Sequence, residues 1–263
     1  MRYAVKLFYN GRAYHGSQVQ PDVRTVEGRF LKALIKLNIQ FKDFQSAGRT
    51  DKGVSAQSNV FAITTDSNLL KPRIINAQLP KDIRVLAVKR VDDNFNPRKE
   101  AEERVYKYFL FDQNYDFKTL KKAIKLFEGE HSFHNFAILE GKNPIRKIKR
   151  CELTKSGEVI ILTFFGESFL WQMIRRMVTA LKMVGKGEFG IGELEEYFDV
   201  KIDKKIPPSE AENLILWDVK YGFEFEDEEY SKETLISMIS LKDKELKKEL
   251  AMGEEILKNM MLK

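Results

Sequence analysis

Extended and helical hydrophobic patterns alternate along this chain, and their order narrows its possible folds more than any other feature. From Arg2 to Tyr9, the residues Tyr3, Val5, Leu7 and Tyr9 fall on one face of a strand that ends at an Asn10-Gly11 turn. Val26 to Leu37 then takes the helical period, with Val26, Phe30, Leu31, Leu34, Ile35 and Leu37 apolar, Thr25 as N-cap and Glu27 in the first turn. A glycine-containing loop leads to a strand from about Asn59 to Thr64, a short helix within Leu69–Gln78 and a strand from Ile83 to Val91. This β-α-loop-β-α-β order specifies an α+β domain.

The second half has the same rhythm without repeating the sequence. A strand over Arg104–Phe111 precedes a short helix over Thr119–Phe127 with a lysine-rich side. Strands over Ile145–Thr154 and Val159–Phe165 join at Ser156-Gly157, and a long helix follows over Phe169–Val184, stopped by Gly185. A helix near Ile191–Phe198 and a strand over Leu214–Tyr221 complete the unit. The expected architecture is α+β: two similar α/β halves, residues 1–95 and 96–225, with antiparallel sheets joined across a central basic cleft. Asn94–Glu103 is the best boundary candidate. Residues 226–263 read as a charged helical extension with Gly253 as its one breaker, and the sequence assigns them no role.

Charge separates these regions. The chain carries 45 Lys and Arg against 39 Asp and Glu, a net of +6. From Glu224 onward there are 11 acidic and 7 basic residues, a net of −4, so residues 1–223 carry +10. A body this basic suits a phosphate-rich partner, because neutralised phosphates release condensed counterions; general solubility accommodates the same charge. One cysteine, Cys151, allows no internal disulfide and fits a reducing compartment; with no base near it in sequence, it reads as inert. His131 and His134 fit one helix face, but three histidines and a cysteine without a C-x-x-C or H-E-x-x-H pattern point to no metal. The N-terminus reads as a strand and turn rather than a signal peptide, and no apolar run approaches the about 18 residues of a membrane span. A soluble cytoplasmic protein is expected.

The chemistry concentrates in Ser46–Ala56, SAGRTDKGVSA. One carboxylate, Asp51, stands between Gly48 and Gly53 with Arg49 and Lys52 beside it. The glycines tolerate positive φ and suit a tight loop that displays a side chain, and Arg49 would favour the ionised carboxylate. Alone, a G-x-x-D-x-G string reads first as an ordinary surface turn with an exposed Asp. Arg175 points nearly opposite the stripe of Phe169, Met173, Met177 and Leu181, beside Trp171, as a solvent-facing or a cleft-lining cation would. Tyr106 lies in a strand where packing alone would explain it.

Taken whole, the loop resembles the AGRTDxGV-A catalytic loop of the TruA family of tRNA pseudouridine synthases, whose one invariable chemical group is this aspartate. Four more segments are similar to that family, in order. FNPRKEAEERVYKYFL (Phe95–Leu110) resembles the segment that supplies the active-site tyrosine, here Tyr106. HSFHNFA (His131–Ala137) resembles a D-F-x-x-F region, and GESFLWQMIRRMV (Gly166–Val178) a helix whose arginine matches Arg175. PPSEAENLILWDVKY (Pro207–Tyr221) resembles the family's closing strand, so the likeness covers about residues 1–221. Departures are Lys52 and Ser55 where many members have Ala and His, Ser17 where Y-x-G-W-Q has Trp, and Glu212-Asn213-Leu214 for E-G-L. They leave Asp51, Tyr106 and Arg175 in place and bear on RNA contacts.

The resemblance implies a pseudouridine-synthase fold, no cofactor, and a homodimer that modifies uridine at positions 38, 39 and/or 40 of the tRNA anticodon stem-loop. It implies Asp51, Tyr106 and Arg175 as the catalytic residues. Arg175 pairs with the aspartate, and Tyr106 stacks on the target base and takes part in proton transfer at C5. Arg49, Lys52 and Arg98 are read from the residues as contacting phosphates or shaping the cleft, with surface solubility as the alternative. Attack at C1′, addition to C6 and removal of the C2′ proton all need the aspartate anion, and the sequence does not separate them. The alternatives are a synthase for another RNA or position, or a non-catalytic RNA-binding or folding module on the same scaffold, which an intact Asp51 argues against. A small-molecule lyase or hydrolase would need further acid/base groups.

Overall fold

A computed structural model describes residues 1–111 and 114–261. In chain order its main elements are β1 (Arg2–Tyr9), α1 (Val26–Lys36), β2 (Lys42–Ser46), β3 (Ser55–Thr64), α2 (Pro72–Asn76), β4 (Ile83–Val91) and β5 (Glu103–Leu110). There follow α3 (Phe117–Ala123), β6 (Gly129–Ser132), β7 (Ile145–Ser156), β8 (Val159–Gly166), α4 (Met173–Gly185), α5 (Ile191–Glu196), β9 (Leu214–Lys220) and α6 (Glu229–Met261). The fold is α+β, and the nine strands among the described residues form one sheet in the order β4-β1-β3-β9-β5-β8-β7-β6, with β2 added to β3.

The junction in the middle of that sheet positions the site. Strand β9 pairs in parallel with β3 (Ser55↔Ile215, Ala56↔Leu216) and antiparallel with β5 (Tyr106↔Leu216). Leu216 therefore has Ala56 on one side and Tyr106 on the other, which brings the loop that precedes β3 beside the middle of β5. Alternation along β5 sends Arg104, Tyr106, Tyr108 and Leu110 to one buried face. The apolar core includes Phe30, Phe61, Leu34 and Val5 near β1–β3, and Leu120, Phe127, Phe136, Phe164 and Leu181 near β5–β8, all at most 0% exposed.

Several element limits differ from the periodicity. Strands β2 and β6 were invisible to it, since KDFQS and GEHS lack a sustained apolar alternation. Strand β3 starts at Ser55, and α4 starts at Met173 instead of Phe169, because Gln172 takes a left-handed φ of 60° that ends the preceding extended segment. Gly185 is the last residue of α4 and not its stop. A methyl there would lie 2.9 Å from Leu120 Cδ2 and from Tyr115 Cδ1, so its glycine permits close packing on α3, while Gly187, at φ +74°, turns the chain away. His131 and His134 share no helix: they flank the end of β6, hydrogen-bonded to Glu128 O at 2.7 Å and Ile202 O at 2.8 Å.

In the acidic extension, Gly253 is carried inside α6, and residues 262 and 263 lie outside the described residues. The start of α6 docks on the first half. Lys6 pairs with Asp227 at 2.9 Å, Asn76 Nδ2 donates to Ser231 Oγ at 2.9 Å, and Arg73 stacks on Tyr230 at 4.4 Å. Beyond Leu235 those of its side chains that are described are largely exposed.

Candidate active site

The Ser46–Ala56 loop is fixed on both flanks by buried polar groups. Ala47 N donates to Val60 O at 2.8 Å, and Asn59 Nδ2 donates to Gly48 O at 2.9 Å. Tyr9 Oη lies 2.8 Å from Thr50 Oγ1, and it also accepts from Asn59 Nδ2 at 3.2 Å. Ser17 closes a two-bond clamp on Thr50: its Oγ accepts from Thr50 N at 2.8 Å, and its own N–H donates to Thr50 O at 3.0 Å. Val54 N donates to Asp51 O at 3.1 Å, making the tight turn for which Gly53 takes φ +88°. Gly48 has no positive φ; its lack of a side chain makes room, since a methyl there would come 3.3 Å from Leu216 Cδ2 and 3.9 Å from Tyr106 Oη.

Held this way, Asp51 reaches two donors from the far half of the chain. Arg175 Nη1 lies 2.9 Å from Oδ2 and Trp171 Nε1 lies 2.9 Å from Oδ1. The guanidinium is anchored in turn by Arg175 Nε donating to Ser209 O at 2.7 Å. Arg175 and Asp51 are both partly buried, with side chains 14% and 22% exposed, so their attraction is screened less than a surface pair's. The cation on Asp51 thus comes from α4, and not from Arg49 in the same loop.

Tyr106 is buried at the sheet junction, with Phe169 packed edge-on at a 5.2 Å ring distance. Burial pushes its phenol up to about 12, aided by the Asp51 charge and opposed by Arg104, so it carries its proton at neutral pH. Arg104 is itself buried. It donates to Ala47 O at 2.9 Å, to Arg98 O at 2.8 Å and to Glu167 O, tying β5 to the start of the Asp51 loop and to the segment before α4.

Arg49, Lys52 and Arg98 are all exposed, and none of them contacts the Asp51 carboxylate by hydrogen bond or ion pair. Asp51, Tyr106 and Arg175 come together; these three cations do not join them. Sequence reasoning missed the supports. Asn59 in the run NVFAIT carried a signal, because a polar residue inside an apolar strand needs buried partners. So did Arg104, which shares its strand face with Tyr106 and Tyr108. Nothing in the pattern pointed Trp171 at Asp51. Of the departures, Ser17 acquires the loop clamp, and Ser55 Oγ accepts from Gly11 N at 3.0 Å.

Chemically, the centre is an anion fixed through both oxygens beside a protonated phenol. Burial raises the Cys151 thiol pKa strongly, so it offers no thiolate. Among the described residues, no group of three or more His, Cys, Asp or Glu is placed to hold a metal ion, and no helix is long and apolar enough to cross a membrane.

A fixed carboxylate against an arginine, at the junction of a single mixed sheet, defines a carboxylate-centred site on an α+β fold, and comparison with known proteins gives it its family. A family model described as tRNA pseudouridine synthase matches residues 123–222. The tRNA pseudouridine synthase A of Thermococcus sibiricus is 44% identical over 88% of this chain and 89% of its own length. That of Pyrococcus abyssi is 42% identical over 86% and 87%, and that of Methanocella arvoryzae 40% identical over 89% and 90%. Among solved structures, the archaeal box H/ACA sRNP Nop10-Cbf5 complex matches 73% of this chain and 58% of its own at 13% identity and a TM-score of 0.36. The chain belongs to the tRNA pseudouridine synthase A family, which are isomerases.

Proposed function

We propose that this chain isomerises uridine to pseudouridine in the anticodon stem-loop of tRNA, at positions 38, 39 and/or 40, with Asp51 as the reacting carboxylate. The observation that carries the reading is the fixed anion: Asp51 Oδ2 on Arg175 at 2.9 Å, within a loop held from both sides. The reaction breaks the C1′–N1 bond, turns the base and forms C1′–C5; C5 loses a proton and N1 gains one, so nothing is consumed. A carboxylate serves any of the three first steps, and Arg175 holds this one at 2.9 Å.

Tyr106, neutral and next to the aspartate, offers a ring for the displaced base and a hydroxyl for the proton exchange at C5. Arg49, Lys52 and Arg98 contact the RNA backbone around the opening, where their exposure leaves them free to do so. Residues 1–95 carry Asp51 and residues 96–225 carry Tyr106 and Arg175, so the site is shared between the halves; residues 226–263 are an extension. The enzyme works in the cytoplasm as a homodimer with tRNA across both subunits. Mapping pseudouridine in an unmodified tRNA transcript after treatment with the purified protein tests the reading. New pseudouridine confined to positions 38–40 is expected; modification elsewhere, or none, would contradict it.

A further inference from the structure

Trp171 has no part in the chemistry described so far, yet it touches the reacting group. Its indole N–H donates to Asp51 Oδ1 at 2.9 Å while the residue remains 44% exposed, so burial alone does not fix it there. Its backbone is fixed instead. Ile138 N donates to Trp171 O at 3.0 Å, and the next residue, Gln172, sits at φ +60°, a conformation that persists in non-glycine residues only where neighbours enforce it. The Gln172 side chain is itself tied down by Arg176, whose Nη2 donates to Gln172 Oε1 at 2.9 Å and whose Nη1 donates to Ile206 O at 2.5 Å.

A carboxylate held through one oxygen can still turn about its Cβ–Cγ bond. Asp51 is held through both, by donors on different segments: Arg175 on Oδ2 from inside α4, and Trp171 on Oδ1 from the segment before it. Each oxygen keeps a second lone pair for the substrate. We infer that Trp171 is a positioning residue that sets the rotation of the Asp51 carboxylate through its indole N–H. This rests on the proposed reading of Asp51 as the reacting group. The contact spans 120 positions of sequence, so the entry into α4 aims the aspartate as well as supplying Arg175.

The competing role for a half-exposed indole is to stack on an RNA base. Trp171→Phe separates the two, because it keeps a stacking ring and loses the N–H. Positioning predicts a kcat lowered roughly 10- to 100-fold with tRNA Kd unchanged, since a small misplacement of a reacting group costs about that much. Wild-type kcat, or a loss in Kd with kcat intact, would overturn the inference. A readout independent of turnover is the indole 15N–1H spectrum, which holds two signals because the chain has two tryptophans. The signal absent from Trp171→Phe should move in Asp51→Asn while that of Trp217 stays; an unmoved signal also overturns the inference. Asp51→Asn turnover keeps the two readings apart. An inactive Asp51→Asn beside a fully active Trp171→Phe removes only the role of Trp171, whereas an active Asp51→Asn removes the reading of Asp51 on which it rests.

Discussion

Asn59 is fully buried in β3 and makes three hydrogen bonds, to Gly48 O, Tyr9 Oη and Val60 N, so one amide joins the reactive loop to two strands. Replacing it with Ala takes a donor from the part-buried carbonyl of Gly48 and reduces the support of Tyr9. Asn59→Ala should lower the unfolding free energy in urea by about 1–3 kcal/mol; a loss within about 0.5 kcal/mol would show the loop to be held by other means. Tyr106→Phe retains the ring and drops the hydroxyl, so it should bind tRNA normally and form little pseudouridine, as followed by tritium release from C5-labelled tRNA. Normal release would leave Tyr106 a packing residue. Glu27, buried beneath the loop, accepts from Val19 N at 3.1 Å, and burial raises its pKa despite bonds from Ser46 and Val19 and the charge of Arg49. The folded state therefore holds its proton to higher pH than the unfolded chain does. Stability from this group is present below the ordinary glutamate range and is lost as pH rises through the raised value. Glu27→Gln should gain melting temperature over wild type as pH rises above the ordinary glutamate range, and a difference constant with pH would contradict this.

At the scale of elements, periodicity located strands with one apolar face and failed where a contact outside the pattern decided. Ile83–Val91 emerged with its predicted limits because alternation and the neighbouring β1 agree. Gly185 was misread because sequence cannot distinguish a glycine that ends a helix from one that admits a neighbour. Its substitution separates these: Gly185→Ala pushes a methyl against Leu120, which is fully buried and cannot retreat. The expected cost is about 1–3 kcal/mol, seen as a lowered melting temperature. A neutral or stabilising effect, as helix propensity alone would give, would mean that α3 and α4 can separate there. The start of α4 was misplaced for a related reason. Phe169 and Leu170 fit the helical stripe, but the left-handed Gln172 delays the helix and turns Trp171 into an Asp51 partner that no local pattern reveals.

For the molecule as a whole, the loop motif pointed to Asp51 in sequence, whereas the β3–β9–β5 register that sets it against Tyr106 depends on contacts over 100 residues apart and had to be seen. The positive charge of residues 1–223 leads to a solution property. Affinity for tRNA should fall at least about tenfold between roughly 50 and 200 mM salt, since the protein's cations displace counterions from several phosphates; a flat response would place the charge away from the interface. The fixed centre and the exposed cations offer few groups to read base edges, so a folded tRNA should be modified far better than a short linear RNA of the same local sequence. The central claim is that the Asp51 anion performs the isomerisation. Asp51→Asn tests it most directly, assayed beside wild type for pseudouridine formed in a full-length tRNA and for tRNA affinity. No pseudouridine with affinity within a few-fold of wild type is the expected result; substantial turnover by the amide variant would contradict it.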